Sequence, residues 1–300
     1  MYRKIRFLLI LSCLAIFFQA NAQFDDPKTL EVGPHVGVSY YMGDLNPTLP
    51  FAMPSLQYGG VVRYNQDTRW TFRFDYSRAK VKAYDEKLNW RPDRKLNFVS
   101  NINDFSLVAE FNFLEYYTGN PKRNVSPYIF GGVSVFQYTA YADVDGTLYD
   151  LSDCPTEGPV PADEKWYEKM FGKTSPVGVS IPFGMGVKLA LSGHVAATIE
   201  WRMQKTFTDY LDDVKGVYPA DDKHVLLLSS SGEQFIMAGN PKQLDPKYTL
   251  IYDFTDPSGK FRENQQRGNA SFNDWFGMAR VSLTWKFNLP DRRGCNLSKF

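Results

Sequence analysis

Cysteine and histidine are scarce in this chain of 300 residues, with three of each. The three cysteines lie far apart in the sequence, which excludes a disulfide scaffold and a cysteine-based zinc cluster. The three histidines, His35, His194 and His224, lack the spaced Asp, Glu or Cys partners that a metal site needs. The sequence therefore predicts no metal and no cofactor.

Long apolar runs and net charge are lacking as well. Charged residues interrupt every apolar stretch after residue 18, so no segment there resembles a transmembrane helix. The formal net charge of +1 argues against a broad electrostatic surface for nucleic acid. Helical periodicity is hard to find, and aromatic residues make up 16% of the chain, a composition that favours an all-β protein.

The N-terminus has the pattern of a secretory signal peptide. A basic segment at 2–6 precedes an apolar run at 7–18, and small residues at 20–22 give signal peptidase its cleavage pattern. The apolar run is too short for a bilayer span, which needs about 20 residues. We therefore predict a cleavable signal peptide at 1–22 and an exported protein. A lipoprotein signal that uses Cys13 is the alternative.

Aromatic residues alternate with polar ones in the stretch RWTFRFDYSR. Trp70, Phe72, Phe74 and Tyr76 occupy every second position, so a strand here has one aromatic face and one polar face. A soluble sandwich would bury the aromatic face against a second sheet, whereas a membrane barrel would turn it toward lipid.

The same alternation recurs and predicts eight strands of about 9 to 13 residues, near the length that a tilted strand needs to cross a bilayer. The predicted strands lie at 30–40, 58–64, 69–78, 104–113, 126–138, 181–191, 195–204 and 275–287. Short connections, at 65–68, 114–124 and 192–193, alternate with long ones, at 42–56, 79–101, 140–175 and 207–273.

This alternation of short and long connections is typical of an outer-membrane barrel, with tight periplasmic turns and larger external loops. The predicted fold is a single eight-stranded antiparallel up-and-down transmembrane β-barrel with four long loops on one side. It occupies residues 23–287 and is followed by a C-terminal tail at 288–300, in the cell outer membrane. A secreted β-sandwich is the alternative.

The polar faces of these strands carry charges that a narrow eight-stranded interior would have to pair with one another. We predict that nine charged side chains form a paired plug in the interior, with the unpaired remainder solvated at the ends: Arg63, Arg73, Asp75, Glu110, Lys188, Glu200, Arg202, Arg280 and Lys286. A cation-lined pore for anions is the alternative.

No catalytic constellation emerges from the sequence. His224 lies near the serines at 229–231 in a long polar loop, which resembles chance proximity more than a nucleophile with its base. Asp209, Asp212 and Asp213 lack the glycine turn of a calcium loop, so we interpret them as a solvated rim with aromatic anchors. We therefore predict neither an enzyme nor a small-molecule substrate.

Several stretches resemble the PorG-like outer-membrane β-barrel family of Bacteroidota, which is associated with the type IX secretion system. The stretches that carry the resemblance are VGVSYYMGDLNP at 36–47, SPYIFGGV at 126–133, SIPFGMGVK at 180–188, EWRMQKTFTDYLDDV at 200–214 and NDWFGMARVSLTWKF at 273–287. The segments YYMGDLNP and TFTDYLDD are the most specific, because a generic barrel does not need them. The resemblance implies an accessory subunit that contacts the periplasmic ring of the secretion machine, without catalysis.

A structural role is therefore the expected function: tethering the periplasmic ring subunits to the outer membrane. The candidate contacts are basic residues of the second short turn and the tail: Lys122, Arg123, Arg292, Arg293 and Lys299. Outer-membrane lipid is the second expected partner, and nucleic acid is not a partner. The alternative function is a small binding or adhesion barrel that acts through its long external loops.

Overall fold

The computed structural model covers the predicted barrel except for its first residues and parts of the long loops. It describes residues 28–88, 90–151, 156–157, 177–219, 225–228, 234–236, 251–261, 263–269 and 273–289. The predicted signal peptide at 1–22 and the tail beyond residue 289 lie outside the described residues.

Eight antiparallel strands close into a barrel, as the sequence predicts. They are β1 (Thr29–Met42), β2 (Ser55–Asn65), β3 (Trp70–Tyr84), β4 (Asn97–Asn112), β5 (Val125–Val144), β7 (Val177–Ala190), β8 (Val195–Thr206) and β12 (Trp275–Asn288). The order is β4-β3-β2-β1-β12-β8-β7-β5, and pairing of β4 with β5 closes the ring. Each barrel strand is therefore hydrogen-bonded on both edges, and no edge of the barrel is left open.

Short additional elements extend the long-loop end of the barrel. A helical turn, α1 (Asp85–Leu88), follows β3, and β6 (Thr147–Asp150) forms a hairpin with the far end of β5. A three-stranded sheet forms from β9 (Val225–Leu228), β10 (Gln234–Ile236) and β11 (Ile251–Asp253), with β9 in the centre. The sequence predicts only a long connection at 207–273, whereas the structure forms this sheet within it.

Three strands run further than the sequence pattern predicts. β3 reaches Tyr84, β4 starts at Asn97 and β5 reaches Val144, which shortens the predicted loops at 79–101 and 140–175. The sequence pattern ends early because the apolar and polar positions exchange faces toward the end of the strand. Beyond Ser77 the inward positions of β3 become apolar and the outward positions become basic, so the strand continues with its two faces exchanged.

The short-turn end of the barrel agrees with the predicted short connections, which lie at 66–69, 113–124 and 191–194. In the first turn the Asp67 carboxylate accepts hydrogen bonds from the backbone N–H groups of Arg69 and Trp70, both at 2.7 Å. Gly119 has a φ of +93°, and a Cβ there would lie 2.6 Å from the backbone oxygen of Gly193. The second and third turns therefore approach each other closely enough to require glycine.

The outer wall carries an apolar belt, and we use this name for the outward aromatic and aliphatic side chains at mid-strand. They include Val36, Phe72, Phe74, Leu107, Ile129, Val133, Met185, Ile199, Val281 and Leu283, all of them exposed. Among the described residues of the eight barrel strands that face outward, the charged ones (Arg78, Lys80, Lys82, Asp143 and Lys205) all lie toward the long-loop end. No helix in the described part of the chain is long and apolar enough to cross a membrane.

The interior is filled in two layers. Near the long-loop end, apolar side chains from the strands pack with the loops above them; Val81, Phe98, Phe136, Phe276 and Leu211 are all fully buried in this cluster. Below this layer, toward the short-turn end, most inward side chains are charged or polar, and a few apolar ones such as Val108 and Phe130 lie among them. The barrel is therefore a packed structure whose two interior layers differ in chemistry.

Candidate functional site

All nine charged residues that the sequence assigns to the interior lie inside the barrel. Each is at most 6% exposed, and together with Asp104 they are called the charge network below. Their strands place them there because inward positions recur at every second residue. The candidate site is therefore the filled barrel together with the loops and turns that close its two ends.

Arg73 is the centre of the charge network. Its guanidinium lies 2.7 Å from Asp75 and 2.6 Å from Glu110, and it also contacts Glu200. The ring of Phe130 lies beneath the same guanidinium, 4.8 Å from its central carbon. One arginine on β3 therefore joins carboxylates from β3, β4 and β8 across the barrel.

Two further cations complete the pairing around Glu110 and Glu200. Lys188 lies 2.6 Å from Glu110, and Arg280 lies 2.8 Å from Glu200. The Tyr128 hydroxyl donates a 2.7 Å hydrogen bond to Glu200. Each buried carboxylate thus faces at least two positively charged or donating groups, as burial without water requires.

Sequence reasoning missed three buried ionisable residues that also face the interior. Asp104 pairs with Arg202 at 3.2 Å, Glu31 lies near the short-turn end, and His35 contacts Arg280 at 3.3 Å. All three occupy inward positions of predicted strands, so the alternation of inward and outward residues would have identified them. With Glu31 and Asp104, the acids nearly balance the six bases, and the interior does not resemble a cation-lined pore.

The short-turn end is sealed by the turn at 113–124. Thr118 is buried and donates a 2.6 Å hydrogen bond to Glu31, while Lys286 donates to the Thr118 backbone oxygen. Tyr116 is also buried beneath this turn. The prediction that the unpaired charges at the ends are solvated is therefore wrong for Lys286, because the turn covers it.

The predicted partner contacts fall into two groups. Lys122 is exposed, and Arg123 pairs with Glu115 at 3.1 Å on the surface of the same turn. Arg292, Arg293 and Lys299 lie outside the described residues. Among the two described candidates, Lys122 is the one that projects from the short-turn end.

The long-loop end is closed by the loop cap, defined here as residues 43–54, 90–96, 207–218 and 263–269. Arg94, buried in this cap, binds both oxygens of the Asp85 carboxylate at 2.8 and 2.9 Å. It also donates to the backbone oxygens of Asp44, at 3.1 Å, and Arg267, at 2.8 Å. A single guanidinium thus joins three loops that are distant in sequence.

Acidic side chains lie beneath the loop cap instead of forming a solvated rim. Asp209, Asp212 and Asp213 are each at most 4% exposed, which corrects the prediction. The Tyr41 hydroxyl lies between two buried carboxyl groups, contacting Asp212 and lying 2.7 Å from Asp274. The loop folds inward because its apolar residues, such as Leu211, complete the upper interior layer.

Four carboxyl groups at the loop cap have raised pKa values. Burial raises the pKa values of Asp209, Asp212 and Asp274, and their mutual repulsion raises those of Asp209 and Asp212 further. Burial likewise raises the pKa of Asp44 to about 6. Neither oxygen of Asp209 has a hydrogen-bond partner among the described residues. In the described part of the chain, no group of three or more His, Cys, Asp or Glu side chains could hold a metal ion.

The two histidines that the structure describes, His35 and His194, lie far apart and do not assemble a catalytic group with one another. His35 is inside the barrel, where its ring nitrogen lies 3.1 Å from the backbone oxygen of Tyr76. His194 stacks against Trp285 in the third short turn, with 6.0 Å between the ring centres. His224 and the serines at 229–231 lie outside the described residues.

Replacing Glu200 with Gln should destabilise the barrel by about 3–5 kcal/mol, because Arg73 and Arg280 would lose a buried counter-charge. Urea unfolding of the protein reconstituted in lipid vesicles measures this change. Glu115→Gln is the matched control, since it breaks a surface ion pair and should cost under about 1 kcal/mol. Equal effects of the two substitutions would contradict the central role of the charge network.

The loop cap should loosen as pH rises. A carboxyl group whose folded pKa exceeds its unfolded value of about 4 loses stabilising free energy as pH increases from that value toward the folded one. For Asp44 this pH interval extends from about 4 to about 6. For Asp209 it extends to higher pH. Hydrogen exchange of residues 207–218, corrected for intrinsic rates, should be faster at pH 9 than at pH 5.

Asp209→Asn should slow this exchange at neutral pH and weaken its pH dependence, because the amide cannot ionise. The control is Asp93→Asn, which changes an exposed aspartate in the same part of the molecule. If the two variants behave alike, buried Asp209 does not govern the opening of the cap.

A search of curated proteins found no match. Among solved structures, the chain is similar to Neisserial surface protein A, at 10% identity and a TM-score of 0.38, covering 87% of this chain and 97% of that one. It is also similar to a major outer membrane protein from Thermus thermophilus, at 11% identity and a TM-score of 0.37, covering 87% and 99%.

The N-terminal β-barrel domain of Pseudomonas aeruginosa OprF is a third such structure, at 11% identity and a TM-score of 0.33, covering 86% and 97%. Residues 5–153 match the model of a family described as a domain of unknown function, DUF6089, and this match extends through β1–β6.

Proposed function

We propose that this protein is an outer-membrane β-barrel that acts as a structural anchor and conducts nothing. The observation that carries the proposal is the combination of an apolar outer belt with an interior closed at both ends. A soluble protein rarely exposes an apolar surface that encircles it, and lipid is the environment that suits such a belt.

The distribution of charge on the outer wall supports a membrane position. A Lys or Arg at the bilayer midplane costs about 2–4 kcal/mol, and the outward charges of β3 begin only at Arg78. Aromatic side chains mark both borders of the belt: Trp70 and Trp285 lie toward the short-turn end, and Tyr76 and Trp201 lie toward the long-loop end.

The orientation follows from loop length. Outer-membrane barrels place short turns in the periplasm and longer loops outside the cell, so the loop cap would face outward and the turn at 113–124 would face the periplasm. An anchor for a periplasmic complex would then present Lys122 and its turn to that complex.

We further infer that the anchored complex is the periplasmic ring of a type IX secretion system. The inference rests on the resemblance to PorG-like barrels. Its two most specific segments, YYMGDLNP and TFTDYLDD, meet in the cap, where Tyr41 contacts Asp212. A charge network that fills the barrel leaves no passage for cargo, so a role in secretion would be tethering.

A binding or adhesion barrel is the second candidate. Leu49, Phe51 and Trp90 are large apolar side chains of the loop cap, each about half exposed. Such residues suit contact with a partner outside the cell. This function would need no periplasmic complex, which separates it experimentally from the first.

Membrane insertion is tested by heat modifiability. The intact barrel should need detergent for solubility, and it should migrate differently on a denaturing gel before and after boiling. The reason is that a closed ring of inter-strand hydrogen bonds resists unfolding by the detergent until the sample is heated. Identical migration together with solubility in plain buffer would contradict the membrane proposal.

The tethering role is tested by deletion and by charge reversal. A deletion strain should retain type IX cargo in the periplasm. Changing Lys122, Arg292, Arg293 and Lys299 to Glu should reduce co-purification of ring subunits in mild detergent, because a basic rim steers an acidic partner surface.

Lys95→Glu with Lys260→Glu serves as the matched control, since both lysines are exposed in loops at the opposite end. Normal export by the deletion strain would reject the secretion role. Normal export together with a barrel that purifies without partners would favour the binding barrel instead.

A further inference from the structure

A cavity of about 740 Å³ lies at the long-loop end of the barrel. Pockets that hold small molecules in proteins have volumes of about 300–1,000 Å³, so this cavity is large enough for a ligand. It borders Asp44 and Arg94 of the loop cap but does not include the charge network.

The floor of the cavity belongs to the outer wall of the barrel. Met42, Met203 and Trp275 line it, and strand parity places all three side chains on the outward face. Met42 pairs with Trp275 across β1 and β12, and Met203 pairs with Gly277 across β8 and β12. The cavity therefore continues the apolar belt at its upper border.

The walls of the cavity come from the loops. Pro47 and Trp90 add apolar surface, and Asn269 adds a backbone N–H that is already bonded to the Asp44 carboxylate at 2.6 Å. The loops thus lean over the outer wall of β1, β12 and β8 and enclose a space beside it. The opening on that wall would face lipid.

Two cations lie beside this space, and neither forms a salt bridge with a carboxylate in the described part of the chain. Arg91 lines the cavity without a side-chain hydrogen bond or salt bridge among the described residues, although its charge acts on the carboxyl groups of Asp44, which also lines the cavity, and Asp85. Lys205 is exposed beside the cavity, with its ammonium group 5.6 Å from the centre of the Trp275 ring. The guanidinium of Arg94, by contrast, is hydrogen-bonded to the Asp85 carboxylate and to two backbone oxygens.

We propose that this cavity binds the acyl chain of an anionic lipid from the membrane that surrounds the barrel. The acyl chain lies against Met42, Met203 and Trp275, and Arg91 and Lys205 bind the anionic headgroup. The charge complementarity and the position at the belt border select a lipid over a neutral apolar molecule. The proposal rests on the membrane location proposed above.

Photolabelling of the purified full-length barrel in a nonionic detergent tests the site. The probes are a diazirine-bearing fatty acid, which is anionic, and its neutral methyl ester. Peptide mapping should locate the fatty-acid label in the peptides that contain Trp90 and Trp275. Arg91→Gln with Lys205→Gln should reduce this label about tenfold, because two charge-assisted contacts are lost.

Two further variants sharpen the result. Arg78→Gln is the matched control, since Arg78 is an outward-facing cation at the same end but outside the cavity, and this variant should label like the unchanged protein. Met42→Trp should reduce the label of both probes by filling the space. Heat modifiability of every variant shows that the barrel is folded.

Several outcomes would overturn the proposal. These are equal labelling by acid and ester, labelling spread evenly over the belt, or no change on removal of Arg91 and Lys205. Displacement of the label by millimolar inorganic phosphate would assign the cations to a soluble anion instead of a lipid. A heat-modifiable barrel without cavity labelling rejects the lipid site alone, whereas identical migration before and after boiling, together with solubility in plain buffer, rejects the membrane location.

Discussion

The pairing of charges inside a narrow barrel is the constraint on which the rest of this structure depends. Eight strands enclose a space that side chains fill, so a charged side chain in the interior has no bulk water to solvate it. Arg73 satisfies this condition by contacting Asp75, Glu110 and Glu200 at once. Because these partners come from three strands, the pairing also fixes how the strands lie relative to one another.

The same constraint explains why the two ends of the barrel are closed differently. At the short-turn end the last charges, Glu31 and Lys286, are covered by a turn that supplies Thr118. At the long-loop end the strands extend beyond the belt and exchange their faces, so an apolar layer replaces the charges. The loops then bury Leu211 and its neighbours on that layer, and a cap results in place of open loops.

Strand number, the short turns and the interior charges were predictable because each depends on local alternation. The C-terminal end of β3 was not predictable in this way. Beyond Ser77 the alternation continues with its polarity reversed, so a search for apolar residues at outward positions ends there. The burial of Asp209, Asp212 and Asp213 was also beyond local reasoning. It depends on Tyr41 and Asp274, which are distant in sequence and meet these acids only once the barrel has closed.

Closure of the interior also determines where any function must lie. A barrel without a passage can act only through its outer wall, its turns and its loops. On the outer wall, the belt is uncharged until Arg78, and beyond that border Lys205 is left without a carboxylate partner among the described residues. A cation without a protein partner at the long-loop border of the belt is consistent with an environment that supplies anions, as lipid headgroups do. In the proposed membrane setting one rule would then cover both faces of the wall: protein carboxylates neutralise the inner cations, and lipid headgroups would neutralise outward cations such as Lys205.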